Sequence, residues 1–189
     1  MSSSLETLAP GLLIAAPSLR DPNFDHAVVL MCFHNDQGAM GLVINRPAPV
    51  TLADIMGQMG IGFDGDMSQV AMVGGPVALD SGLVLYEMEP DASSREDELR
   101  VAERLRVCPN QDLLRAIGQG DGPSRFHIFL GHSGWAPGQL ERELAQGAWL
   151  PGRLDLELIF RTPVDARWET ALQAEGLHPS QFGAFRPQN

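Results

Sequence analysis

The chain has no lysine: all 13 basic residues among its 189 are arginines. That absence excludes chemistry built on a primary amine. A P-loop needs a lysine on the nucleotide phosphates, and pyridoxal-phosphate enzymes, Schiff-base aldolases and Ser-Lys hydrolases need one as nucleophile or base. Cysteine is nearly as scarce; Cys32 and Cys108 cannot build a disulfide framework and read as reduced thiols. The longest apolar run, Ala27 to Phe33, is far too short to span a bilayer, and the start MSSSLETLAPG lacks the pattern of a secretory leader. The expectation is a cytoplasmic protein with no membrane association.

Positive charge is also short. The 24 acidic residues leave a formal net charge of -11, and the deficit is local: residues 51–100 hold ten carboxylates against two arginines. The densest part is Glu87, Glu89, Asp91, Glu96, Asp97 and Glu98, so residues 88–98 read as an exposed acidic loop. Sequence-independent DNA binding draws its affinity from a basic footprint. Direct DNA binding is therefore not expected unless scattered arginines gather in space.

What is present is 44% hydrophobic residues, enough for one core and a single domain over residues 1–189, with 1–7 expected to be disordered. Gly11 to Leu19 and His26 to His34 read as strands. Asn35-Asp36-Gln37-Gly38 reads as a hairpin loop in which Gly38 takes positive φ, leading into a strand over Ala39 to Asn45. Thr51 is placed to cap a helix from Leu52 to Met59 that Gly60 closes. Strands over Gln69 to Val73 and Gly82 to Glu87 flank Gly74-Gly75-Pro76, where close backbone approach is expected. Leu99 to Val107 alternates as a half-exposed strand or hairpin, and Asn110 caps a helix ending near Gly118.

Arg125 to Leu130 reads as a strand entering a glycine-rich turn over Gly131 to Gly138. A helix over Gln139 to Gln146, a strand over Leu154 to Phe160 and a helix over Ala166 to Glu175, stopped by Gly176, complete the pattern. Short loops between consecutive strands require antiparallel pairing, so the fold class is α+β rather than a doubly wound parallel sheet.

Residues able to carry chemistry are few. Cys32 and His34, two apart on a strand, are expected to share a face with Val28 and Leu30. A thiol beside an imidazole can be a catalytic nucleophile, a redox sensor acting on an anionic small molecule, or half of a metal site. The alternative makes Cys32 a buried small hydrophobe and His34 the end of the strand. No further ligand stands at metal-binding spacing, so no metal is expected.

The stretch Gly131-His132-Ser133-Gly134-Trp135 leads toward Gln139 at a helix start, a junction that can aim N–H groups at an anion. It is not a nucleophile elbow, because Trp135 stands where glycine is required. The alternative is a packing turn with Trp135 in the core. Arg46 follows Asn45 at a strand end, and an ion pair to Asp21 or Asp25 is expected for it. Trp149 and Trp168 read as packing residues.

With these segments in view the chain resembles the YqgE/AlgH family of bacterial proteins. The resemblance rests on GLLIAAP at 11–17, DPNF at 21–24, VVLMCFHNDQGAMGLVINRP at 28–47, GGPV at 74–77, GDGP at 120–123 and LGHSGWAPGQLERELAQGAWL at 130–150. It extends from about Leu8 to Leu172. The resemblance implies a single α+β domain whose bifurcated, mostly antiparallel sheet curls into a pseudo-barrel with helices outside. Members are often labelled transcriptional regulators, and the family supplies no catalytic residue or cofactor to carry over. The chain departs from the family pattern at Tyr86, where histidine is usual, and at His132-Ser133, in place of Tyr-Ala.

The resulting expectation is a non-enzymatic binding or regulatory protein without a cofactor, acting through a small anionic ligand or a protein partner. Asn35, Asn45 and Arg46 from one motif, with Gly131 to Trp135 and Gln139 from the other, are the expected ligand-binding residues. A thiol-dependent enzyme using Cys32 and His34 is the alternative.

Overall fold

The first two strands, β1 (Gly11–Ala15) and β2 (Val28–Asn35), are apolar along almost their whole length instead of alternating. The reason is that both of their faces are covered. Leu12, Ile14, Val28 and Leu30 belong to one core cluster, while Leu13, Ala15, Val29 and Met31 belong to another on the opposite face. The computed structural model describes residues 7–89 and 91–182. The disorder expected for residues 1–6, and Pro90 of the acidic loop, lie outside the described residues. Thr7 lies within them and donates to the His34 carbonyl.

β2 turns through Asp36-Gln37 into β3 (Gly38–Val43), with Asn35 paired to Gly38. Gly38 has φ 128, and a Cβ there would overlap the Trp135 carbonyl, so glycine serves both the turn and a close approach. β4 (Pro47–Thr51) runs into α1 (Leu52–Gln58), whose start is closed by a reciprocal Thr51–Asp54 capping box. Then follow β5 (Val70–Val73), β6 (Val77–Glu87), β7 (Leu99–Arg100), β8 (Leu105–Cys108) and α2 (Gln111–Gly118). β9 (Phe126–Trp135), α3 (Gln139–Ala145), β10 (Trp149–Gly152), α4 (Leu156–Phe160) and α5 (Arg167–Ala174) complete the order.

The sheet runs β10-β1-β2-β3-β9-β6-β8-β7, and it branches at β9. On one side β9 pairs with β6. On the other, its end (Ser133 to Trp135) pairs with β3 while Phe129 and Leu130 pair with β5, which in turn pairs with β4. Among the described residues the β5–β9 pairing is parallel and every other pairing is antiparallel. The chain is a single α+β domain with a bifurcated sheet that does not close on itself. Helices α4 and α5 cover one core, α1 and α2 a second, and α3 the third.

Two segments differ from the sequence pattern. Leu154 to Phe160 is not a strand: Asp155 accepts from the N–H groups of Glu157 and Leu158, and this cap starts the short helix α4. The tenth strand instead precedes it, where Trp149 to Gly152 lines up against β1. The acidic loop is exposed over residues 91–97, but the carboxylates at its two ends turn inward. Glu87 lies between Arg104 at 3.3 Å and Arg125 at 3.2 Å. Glu98 accepts from Tyr86 Oη at 2.5 Å and Arg106 Nε at 3.1 Å, with only 5% of its side chain exposed. Folding the β7–β8 hairpin back onto β6 is what carries Glu98 into the interior.

Candidate functional site

Cys32 and His34 are not neighbours in function. A bulge in β2 pairs Met31 with Gly41 and Phe33 with Met40, which makes Cys32 the extra residue and reverses the alternation beyond it. Cys32 packs in the core with Leu12 and Leu30, whereas His34 lies opposite Ala39, a residue of the core on the other face. The shared face expected from their spacing is thus corrected by one inserted residue. Burial pushes the Cys32 thiol up to about 12, and among the described residues Sγ has only the Leu30 carbonyl as partner, at 3.7 Å. His34 accepts the Leu8 N–H at Nδ1 and donates from Nε2 to Glu141 at 2.8 Å, which holds the Glu141 carboxyl below its ordinary range. It staples the segment before β1 to α3. Among the described residues no group of three or more His, Cys, Asp or Glu is placed to hold a metal.

The Gly131 to Gly138 stretch is a strand for most of its length. β9 continues through Trp135, so the N–H groups expected to face a ligand lie within the sheet, and the turn shrinks to Ala136-Pro137-Gly138. Gln139 closes that turn by accepting the Ala136 N–H and reaches along α3 to Glu143. Trp135 is buried, and its indole shares the Glu143 carboxylate with that of Trp149. Ser133, fully buried, donates to the Gly74 carbonyl. His132 is half-buried opposite Val77, Gly134 is exposed, and Asn35 is exposed with its side chain capping Gln37 N–H.

Asn45 and Arg46 do converge. From the end of β3, Asn45 accepts the Val28 N–H and donates to the His26 carbonyl, both at 2.8 Å. Arg46 donates from Nη1 to the carbonyls of Pro22 and Asn23 and from Nη2 to that of Asp25. The expected ion pair is replaced by backbone carbonyls. The Asp21 side chain is turned to the Asn23 N–H and that of Asp25 to His26. The same loop is held from its apolar side by Phe24, whose ring meets Trp149 edge-on at 5.3 Å.

Arg46 faces a cleft of about 160 Å³ lined by Asn23, Val43, Val73, Gly75, Pro76 and Leu79. Gly75, in its wall, and Gly74 next to it lie against Gly131 to Ser133. A Cβ on either glycine would overlap backbone atoms of that stretch, the close approach the sequence indicated. The cleft therefore joins the DPNF loop, the strand end at Arg46 and the GGPV segment, while none of Gly131 to Trp135 or Gln139 lines it. Asn23 belongs to the DPNF motif, whereas Leu79, which also lines the cleft, had no signal in the sequence beyond proximity to GGPV.

A family model described as AlgH-like matches residues 12–180. The chain belongs to the AlgH-like family. It is 40% identical over 181 residues to a UPF0301 protein of Anaeromyxobacter sp. (strain K), covering 93% of this chain and 91% of that one. It is 39% identical over 177 residues to a UPF0301 protein of Hahella chejuensis, covering 94% of each chain. Among solved structures it is similar to the AlgH protein of Pseudomonas aeruginosa, with TM-score 0.78 and 36% identity over the full length of both chains. A Corynebacterium diphtheriae protein shares the fold alone, at TM-score 0.74 and 22% identity. No helix among the described residues is long and apolar enough to cross a membrane.

Proposed function

We propose that this AlgH-like chain is a non-enzymatic binding protein whose ligand is a small anion held at Arg46. The observation that carries this reading is the electrostatic state of that guanidinium. It is half-buried at the wall of an open cleft and, among the described residues, makes no ion pair. Its bonds go to neutral carbonyls, which fix the planar fork without cancelling its charge, so a carboxylate or phosphate entering the cleft gains a charge-assisted partner already in position.

A regulatory role would then act through ligand occupancy of the loop that Arg46 holds. Direct DNA binding is disfavoured by the distribution of the other arginines. Arg104, Arg106, Arg115, Arg125 and Arg161 are each paired with a carboxylate, which leaves little net positive surface around them. The thiol-dependent alternative is not favoured, given the separation of Cys32 from His34.

The test is titration of the full chain with inorganic phosphate and with butyrate, followed through the backbone amides of Gly75 and Asn23. Saturable shifts are expected, abolished in Arg46→Met and weakened in Arg46→Lys. Absence of saturation, or shifts of the same size in Arg46→Met with the remaining amide spectrum unchanged, would overturn the reading.

A further inference from the structure

A second, larger cavity adjoins the Arg46 cleft. It measures about 400 Å³, within the usual range for small-molecule sites. Its walls are mostly apolar, drawn from Ile55 of α1 and Met59 just past its end, Leu83 of β6, Leu114 of α2 and Leu130 of β9. Leu79 is the wall common to both spaces. The β6–β9 ladder is interrupted between Val77 and Gly82, and Ala78 adopts φ 51, so the chain bulges and presents Leu79 with 53% of its surface exposed. Leu79 thus stands at the junction between the cationic cleft and the apolar groove.

We propose that the two spaces form one site for a medium-chain carboxylate, its head paired with Arg46 and its chain passing Leu79 into the groove. This rests on the reading of Arg46 as an anion site and adds the ligand's apolar half. Orientation follows from charge. Asp80 lines the groove but not the cleft, so a carboxylate placed in the groove meets a like charge, whereas one at Arg46 meets an opposite charge. The remaining polar lining of the groove, Gln58 and Gln111, is uncharged.

The experiment is calorimetric titration of the full-length protein with straight-chain carboxylates from butyrate to octanoate. Each methylene transferred into the groove is expected to tighten binding about fourfold, or about 200-fold across the series. Met59→Glu, at the exposed end of α1, is expected to remove most of that gain, and Arg46→Met to remove binding of every member. Equal affinity for butyrate and octanoate, both dependent on Arg46, would overturn the apolar half while leaving the anion site standing. No Arg46-dependent binding of any member would overturn both. Arg46-dependent co-sedimentation with phosphatidylglycerol vesicles would overturn the free acid as occupant in favour of a bilayer lipid.

Discussion

Lowering the pH from about 7.5 to about 5 is expected to cost the folded protein about 2 kcal/mol through one imidazole, that of His127. This ring lies on β9 beneath α4, stacked on Phe160 at 5.4 Å, and its Nε2 donates to the Ile159 carbonyl at 2.8 Å. Burial pulls its pKa from 6.5 down to about 4, the Arg167 cation adds to the fall, and the bond to Ile159 opposes it. The unfolded chain therefore binds a proton through this window that the folded chain refuses. Stability is fully present above the unfolded value of 6.5, falls as the pH drops, and levels off below the folded value of about 4. The complete shift corresponds to about 3 kcal/mol, of which about 2 is lost by about pH 5, before most carboxylates titrate. Urea unfolding of the wild type and of His127→Gln at both pH values isolates this contribution, because the other histidines titrate equally in the two proteins. Gln keeps a donor near Ile159 without the titration. An equal loss of stability in the two proteins would refute the assignment.

Two further outcomes follow from buried groups. Glu98→Gln leaves the Arg106 guanidinium, 6% exposed, without its counter-charge, and is expected to destabilise the fold by about 3 kcal/mol in urea unfolding; a cost below about 0.5 kcal/mol would mean the pair is solvated in solution. Cys32, with its thiol pushed up to about 12 by burial, is expected to react with iodoacetamide at neutral pH at least tenfold more slowly than a peptide thiol and to reach the ordinary rate in denaturant. Fast modification of the native protein would restore the nucleophile reading.

The local signals that proved legible are those whose physics is complete within a few residues. Thr51, Asn110 and Gly38 each act on backbone groups close by in the chain, and each does what its sequence position indicated. Gly74-Gly75 signalled close approach because only a missing Cβ permits it, although the partner stretch, Gly131 to Ser133, had to be found in space. The alternation of Leu154 to Phe160 misled because a period of two over seven residues is also compatible with a capped helical turn, and Asp155 decided it. β10 was hidden for the opposite reason: Trp149 to Gly152 has no pattern of its own and is a strand because β1 offers it an edge.

The candidate site divides along the same line. The sequence determined that Arg46 is the sole arginine within residues 28–47 and 130–141, that no lysine chemistry is available, and that the family is AlgH-like. Only the tertiary structure decided that one bulged residue sets Cys32 and His34 on opposite faces, and that Arg46 is held by carbonyls rather than carboxylates. It also decided that Leu79 joins a charged cleft to an apolar groove. A strand's periodicity fixes which side chains alternate, but its register and bulges are set by partners far away in the chain, and a single inserted residue exchanges the faces.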